Sequence, residues 1–139
     1  MRDRVFLDTN IIVYLYSIDE EDKRDISCKF VNISDCITSV QAMNEASNVW
    51  FRKYNLGKNE ITKYLDEIES VCNDVMLVRR KTIDLAMDIK ERYSYSFYDC
   101  LMLASAIEAN CTIILTEDMQ DGQVINGMLK ITNPFINFI

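Results

Sequence analysis

The sequence predicts an α/β fold with a mostly parallel central sheet of about five strands flanked by helices. Short apolar runs alternate along the chain with longer segments in which apolar residues recur every three or four positions, which is typical of strands joined by amphipathic helices. The run CTIILT at 111–116 shows no polar alternation, so it fits a central strand covered on both faces. Because the 139 residues include only three glycines and one proline, no flexible linker is predicted, and we expect one domain, residues 1–139.

The first half of the chain predicts two strands, each followed by helices. The helix after the second strand is expected to begin near Thr38, because Thr38 and Gln41 have capping-box spacing, and to end at Gly57. The segment NEITKYLDEIESVC has its apolar residues on one face and predicts an amphipathic helix. In order, the predicted elements are a strand at 5–7, helices at 10–17 and 25–31, a strand at 36–38, a helix at 38–57 and a helix at 59–72.

The second half predicts three further strands and two helices. SFYDCLMLASAIEAN is apolar along most of its length, so it predicts a strongly apolar helix. The last strand is closed by Asn133, Pro134 and Phe135. In order, the predicted elements are a strand at 75–78, helices at 82–93 and 96–110, a strand at 111–116 and a strand at 129–132.

The composition excludes several kinds of site. The chain has no histidine, so a serine or cysteine nucleophile with a histidine base is impossible, and a zinc site is not expected. The five cysteines form no C-x-x-C pair, and their odd number suits a reducing compartment, so we expect a cytoplasmic protein. No apolar run has the length of a membrane span. A net charge of −7 argues against a general nucleic-acid coat, which would be basic.

Four carboxylates are predicted to meet at the carboxyl ends of the strands. Asp8 and Asp118 each follow a predicted strand, whereas Glu45 and Asp99 lie in helices that can point into the same cleft. Together they would repel one another and have raised pKa values unless a cation joined them, and oxygen ligands alone suit Mg²⁺ or Mn²⁺. Each acid also has a local interpretation, as a helix cap, a turn residue or a solvent-facing side chain.

Four segments resemble the PIN-domain ribonucleases, and in particular the toxin component of VapBC-type toxin–antitoxin pairs. They are LDTNIIVY at 7–14, NE at 44–45, FYDCLMLASA at 97–106 and LTEDMQDGQVINGMLKITNPF at 115–135. The resemblance spans nearly the whole chain. It implies a PIN-like three-layer fold, Mg²⁺- or Mn²⁺-dependent cleavage of RNA to 5′-phosphate and 3′-hydroxyl ends, a homodimer, and inhibition by a cognate antitoxin.

The resemblance also assigns roles to individual residues. Its catalytic and metal-binding acids fall on Asp8, Glu45, Asp99 and Asp118. Asn10 and Thr116 fall on positions that would hold these carboxylates or metal-bound waters. Glu117 and Asp121 lie near enough to compete for the fourth role, and Asp118 is preferred because the family's acid lies two positions after the threonine.

Two surfaces are candidates for contacts with partners. RNA needs positive charge near an acidic site, and either Arg52 with Lys53 or the basic run at 79–81 would provide it. Helices near Trp50 and Phe51 are the candidate walls of a groove for an antitoxin helix. Further apolar surface is offered by the amphipathic helix at 59–72 and by the tail residues Phe135, Phe138 and Ile139.

Two other functions remain open. A receiver-like signalling domain is also a parallel α/β fold that binds Mg²⁺ at acids, but its expected lysine near the end of the last strand is poorly matched, since Lys130 lies inside that strand. A non-catalytic PIN-like binding module would keep the fold without the chemistry. The presence of all four acids argues against this second alternative.

Overall fold

A six-stranded sheet flanked by helices forms the centre of the computed structural model, which describes residues 2–136. The strands lie in the order β3-β2-β1-β4-β6-β5, and all neighbours are parallel except β5 and β6. The predicted fold class is confirmed. In chain order the elements are β1 (Arg4–Leu7), α1 (Thr9–Tyr14), α2 (Glu21–Ile33), β2 (Asp35–Ser39), α3 (Val40–Arg52), α4 (Lys58–Val71), β3 (Asp74–Met76), α5 (Arg80–Arg92), α6 (Phe97–Glu108), β4 (Ile113–Leu115), β5 (Val124–Ile125) and β6 (Leu129–Thr132).

The register of β1 against β4 brings two distant parts of the chain together. Leu7 pairs with Leu115, so both strands end at the same level of the sheet. The next residues therefore leave the sheet side by side, and the Asp8 amide donates to the Leu115 carbonyl oxygen at 3.1 Å. Asp8 and Thr116 are neighbours for this reason, although 108 positions separate them in the sequence.

The core lies around the central strands and α6. Phe6 in β1 and Ile114 in β4 are both fully buried, as expected for strands covered on two faces. Every residue of α6 from Cys100 to Ala106 is buried, and α6 packs against α5. The strongly apolar composition of this helix follows from that position, because it has almost no face directed toward water.

The ends of α3 differ from the prediction. Ser39, not Thr38, is the N-cap, and its hydroxyl accepts from the Ala42 amide at 3.0 Å. Thr38 is still part of β2, and its hydroxyl donates to the carbonyl oxygen of Leu7 on the neighbouring strand at 3.0 Å. Gly57 does not end this helix, which stops at Arg52, but is the N-cap of α4. The capping-box interpretation was wrong because a strand partner satisfies the Thr38 hydroxyl.

The short strand β5 is missing from the sequence prediction. It has two residues and pairs antiparallel with β6 across a turn that contains Asn126 and Gly127 at φ 52° and 67°. An Asn-Gly pair is a common hairpin signal, but a strand of this length has too few residues to show alternation. The other predicted strands and helices are present, with their ends shifted by a few residues.

Two of the predicted tail residues, Phe138 and Ile139, lie outside the described residues. Phe135 is described and packs edge-on against Tyr14, with 5.3 Å between the ring centroids. Within residues 2–136, no helix combines the length and the apolar character needed to cross a bilayer.

We predict that Gly127→Ala destabilises the protein by about 1 kcal/mol, because φ is 67° and a left-handed backbone is unfavourable for a residue with a Cβ. The space around the added Cβ is open, so no steric clash contributes. Urea unfolding measures the effect. The control is Gly127→Asn at the same position, because asparagine adopts the left-handed region more readily than alanine, and we expect a smaller loss. Equal losses in both variants would contradict the conformational explanation.

Candidate functional site

Asp8 lies at the junction of β1 and α1 and is only 5 % exposed. Its Oδ1 atom accepts from the Thr9 amide at 2.7 Å, so the residue caps α1. Its Oδ2 atom accepts from the Thr116 hydroxyl, also at 2.7 Å. Both carboxylate oxygens are thus held in place, one by the local helix start and the other by the neighbouring strand end.

The other three predicted acids surround Asp8 in one cleft of about 430 Å³. Glu45 projects from the second turn of α3, Asp99 from the first turn of α6, and Asp118 from the segment after β4. The helix α6 begins at Phe97, and the hydroxyl of its N-cap residue Ser96 accepts from the Asp99 amide at 3.2 Å. The Ser96 side chain thus provides the cap, while the Asp99 carboxylate lines the cleft.

Hydroxyl and amide groups connect the acids to one another. Asn10 donates through Nδ2 to Asp118 Oδ2 at 2.8 Å. The Thr116 hydroxyl oxygen accepts a hydrogen bond from the Asp118 amide at 3.2 Å, while the same hydroxyl donates to Asp8. Asn10 and Thr116 therefore each donate a hydrogen bond to one of the four acids. Thr9, which the sequence analysis did not single out, donates to Glu45 Oε2 at 3.2 Å. Its place between Asp8 and Asn10 was the one available signal.

Burial and neighbouring negative charges raise the pKa values of three acids in the cleft. Burial raises the pKa of Asp8 to about 6, against the opposing effect of the hydrogen bonds from Thr116 and Thr9, and the charges of Asp99 and Asp118 add to the rise. The pKa of Glu45 and that of Asp99 are also raised, in both cases mainly by desolvation and further by a neighbouring carboxylate. Removing this repulsion is the task that a bound cation would perform.

The donor set fits a hard divalent cation, because it consists of carboxylate oxygens with no sulfur or imidazole. As placed, however, no three His, Cys, Asp or Glu side chains among residues 2–136 are in a position to hold one ion. Asp8, Glu45 and Asp118 each accept a hydrogen bond from a neighbouring threonine or asparagine. Asp8 is fixed, so the more exposed carboxylates would have to turn toward it to share an ion.

The two competitors for the fourth acid point elsewhere. Glu117 accepts from Lys23 Nζ at 2.9 Å and from the Tyr14 hydroxyl. Asp121 accepts from the Asn133 amide at 2.8 Å. Neither lines the cleft, whereas Asp118 does. The geometry thus places Asp118, and not its two neighbours, beside the other three acids.

The candidate RNA contacts separate into two groups. Lys53 lines the acidic cleft. Arg52 lines a neighbouring hollow, and Lys53 borders both the hollow and the cleft. Arg79 and Lys81 line a different hollow, where Lys81 Nζ lies 4.0 Å from Glu108, and Arg80 pairs with Asp84 on the surface of α5. The basic run at 79–81 follows the carboxyl end of β3, as expected, but β3 is an edge strand separated from β1 by β2, so the run does not line the acidic cleft.

Comparisons with known proteins agree with the fold. Residues 5–120 match the family model described as PIN domain. The structure of Mycobacterium tuberculosis VapC20, a sarcin–ricin loop cleaving toxin, is 16% identical with a TM-score of 0.65, over 79% of this chain and 86% of that one. A toxin–antitoxin complex from Klebsiella pneumoniae is 17% identical with a TM-score of 0.67, over 94% and 98%. VapBC2 from Rickettsia felis, bound to a promoter DNA fragment, is 15% identical with a TM-score of 0.64, over 94% and 99%. No curated protein matches the sequence significantly.

We predict that the raised pKa of Asp8 makes the metal-free protein less stable as the pH rises. The unfolded chain releases this proton near pH 4 and the folded chain near pH 6, so the folded state holds more protons between these values and its free energy of unfolding falls as the pH rises. Asp8→Asn lacks this titration. Its stability relative to the unaltered protein should therefore increase by about 2 kcal/mol between pH 4 and pH 7.

Urea unfolding at both pH values in chelating buffer measures this difference. Asp88→Asn, on an exposed position of α5, removes the same charge elsewhere and is expected to follow the unaltered protein. A constant difference between Asp8→Asn and the unaltered protein at the two pH values would contradict the assigned electrostatics.

Proposed function

The chain belongs to the PIN domain family, and from this premise we propose that it is a metal-dependent endoribonuclease that acts as the toxin of a toxin–antitoxin module. The observation that carries the proposal is the single cleft lined by all four predicted acids. Neighbours of the same fold include a sarcin–ricin loop cleaving toxin and a toxin–antitoxin complex, which support this choice among PIN functions.

We propose that Mg²⁺ or Mn²⁺ is held by Asp8, Glu45, Asp99 and Asp118. When bound, such an ion polarises a phosphoryl oxygen and lowers the pKa of an attacking water. Asp8 provides the fixed anchor, since it is buried and both of its oxygens accept hydrogen bonds. Glu45 and Asp99 are the candidates to accept the proton of the water, because desolvation raises the pKa of both carboxylates. This chemistry needs no histidine, in agreement with the composition.

The RNA strand is proposed to cross the cleft between Lys53 and Tyr98. Lys53 and Arg52 are exposed, and neither forms an ion pair within the described part of the chain, so their charges are available to phosphates. Tyr98 lies beside Asp99 and is 66 % exposed, which leaves its ring able to stack on an unpaired base. In a chain of net charge −7, this local combination favours a single-stranded or looped RNA over a long duplex.

An antitoxin is proposed to dock in an apolar groove next to the cleft. The groove has a volume of about 320 Å³, and its walls include Trp50 and the stacked rings of Tyr16 and Tyr64, whose centroids are 3.9 Å apart. Ile18 on its rim is 85 % exposed. The predicted position near Trp50 agrees with this groove, but Phe51 does not line it. Tyr54 borders both the groove and the acidic cleft, so a helix bound in the groove would also obstruct the path of the RNA.

The remaining expectations stay predictions. Sedimentation velocity tests the expected homodimer, and the cytoplasmic location rests on the sequence argument alone. The receiver-like alternative gains no support, because Lys130 lies within β6 in register with Ile113 and does not reach the acidic edge. The non-catalytic PIN module is separated from the nuclease by the cleavage assay that follows.

We predict that Asp8→Asn lowers the rate of RNA cleavage at least about 100-fold, because the anchor of the metal site loses its charge. The measurement is single-turnover cleavage of a panel of structured RNAs in Mn²⁺ or Mg²⁺ buffer, with circular dichroism to verify the fold. Asp88→Asn is the control of equal charge change and is expected to cleave at the unaltered rate. Undiminished cleavage by Asp8→Asn, or by the unaltered protein in excess chelator, would exclude the proposed chemistry.

We predict that Ile18→Asp abolishes capture of the small protein encoded beside this chain while RNA cleavage persists. A carboxylate on the rim of the groove would be desolvated against an apolar helix, which costs several kcal/mol. Co-purification and calorimetry measure binding. Met87→Asp, a 46 % exposed position on α5 away from the groove, is the matched control and should retain full affinity. Normal binding by Ile18→Asp would place the partner on another surface.

A further inference from the structure

A charged and aromatic cluster that adjoins the acidic cleft has no role in the proposed function described above. It consists of Tyr14 at the end of α1, Lys23 in α2 and Glu117 after β4. Lys23 Nζ donates to Glu117 Oε2 at 2.9 Å and to the Tyr14 hydroxyl oxygen at 3.3 Å, while the Tyr14 hydroxyl donates to Glu117 Oε1. Each group contacts the other two, and we call these three residues the clamp.

The clamp is partly shielded from water. Lys23 Nζ lies 4.9 Å from the centroid of the Tyr14 ring and 5.4 Å from that of Phe135. The two rings meet edge-on, with 5.3 Å between their centroids. The side chains of Lys23 and Glu117 are 32% and 22% exposed, so this ion pair is less screened than one on an open surface.

The position of Glu117 in the sequence connects the clamp to the acidic site. Glu117 stands between Thr116, which donates to Asp8, and Asp118, which accepts from Asn10. Asn10 and Tyr14 are four residues apart and thus share one face of α1. Three consecutive side chains after β4 therefore form hydrogen bonds with Asp8, with α1 and with α2. These bonds fix the backbone from which Asp118 projects.

The charge of Lys23 has a second consequence. Without it, Glu117 would be an unneutralised fifth carboxylate next to Asp118, held only by the hydrogen bond from the Tyr14 hydroxyl. Pairing with Lys23 neutralises Glu117 and directs it away from the cleft.

We propose that Lys23 is a positioning residue, which acts through Glu117 and Tyr14 to hold the backbone that carries Asp118 at the place that the metal site requires. The proposal rests on the proposed function, since it concerns the same site. Lys23 lines neither the acidic cleft nor the apolar groove, and it reaches the site through Tyr14, which lines the cleft, and through Glu117, which precedes Asp118.

The test compares Lys23→Met with Lys23→Arg. Arginine keeps the charge and can still reach Glu117, whereas methionine keeps much of the apolar side chain and loses the charge. Two readouts are used, neither of which depends on RNA cleavage. One is hydrogen–deuterium exchange of the peptide that contains 116–118 in metal-free protein. The other is Mn²⁺ affinity by calorimetry.

For Lys23→Met we expect faster exchange in this peptide and an affinity for Mn²⁺ that is at least about tenfold weaker, whereas Lys23→Arg should remain within about threefold of the unaltered protein. The matched control is Lys81→Met, which removes the Lys81–Glu108 pair outside the cleft and should change neither readout.

Unchanged exchange would overturn the proposal, and so would faster exchange with unaltered Mn²⁺ affinity, because Lys23 would then be merely structural. If the unaltered protein bound no Mn²⁺, the proposed function and the role of Lys23 toward a metal would both fail. Mn²⁺ binding without RNA cleavage would contradict only the proposed function.

Discussion

The site depends on one buried carboxylate. Asp8 sits where two central strands end side by side, and it is held there by a backbone amide of its own helix and by a hydroxyl from the far end of the chain. Burial of an ionised carboxyl group is unfavourable unless hydrogen bonds or a cation compensate. The two hydrogen bonds compensate only in part, since the pKa of Asp8 is still raised to about 6. The fold thus contains a group whose charge needs a partner, at the point where three further carboxylates converge.

The arrangement of the other polar groups follows from this demand. Threonine and asparagine side chains connect the acids without adding charge, and they define which oxygen of each carboxylate is engaged. The positive charges lie outside this inner set, with Lys53 at one wall and Lys23 behind the segment that carries Asp118. An apolar groove shares Val13 and Tyr54 with the cleft. The places proposed for a cation, an RNA strand and a protein partner are therefore adjacent, and a partner in the groove is proposed to inhibit by obstructing the RNA.

The sequence prediction succeeded where the signal was long or where each residue had one local role. The apolar α6 and the central strand β4 were predicted because both are buried nearly throughout, and burial leaves a continuous apolar record in the sequence. The cap of α3 was misplaced by one residue, because Thr38 and Ser39 are equally suited to capping and only the strand pairing shows that Thr38 is already engaged by Leu7. The two-residue β5 was missed because it is too short to carry a pattern.

The sequence by itself determined the fold class, the absence of histidine, a set of four acids and the resemblance to PIN-domain ribonucleases, because each of these is a property of composition or of local pattern. Only the tertiary structure decided which side chains meet. The structure shows that Thr9 donates to Glu45 and that Asp118, rather than Glu117, lines the cleft. It also places the basic run at 79–81 outside the cleft and pairs Lys23 with Glu117. The reason is that such contacts depend on strand order and register across as many as 108 residues of sequence, and a local pattern carries no information on either.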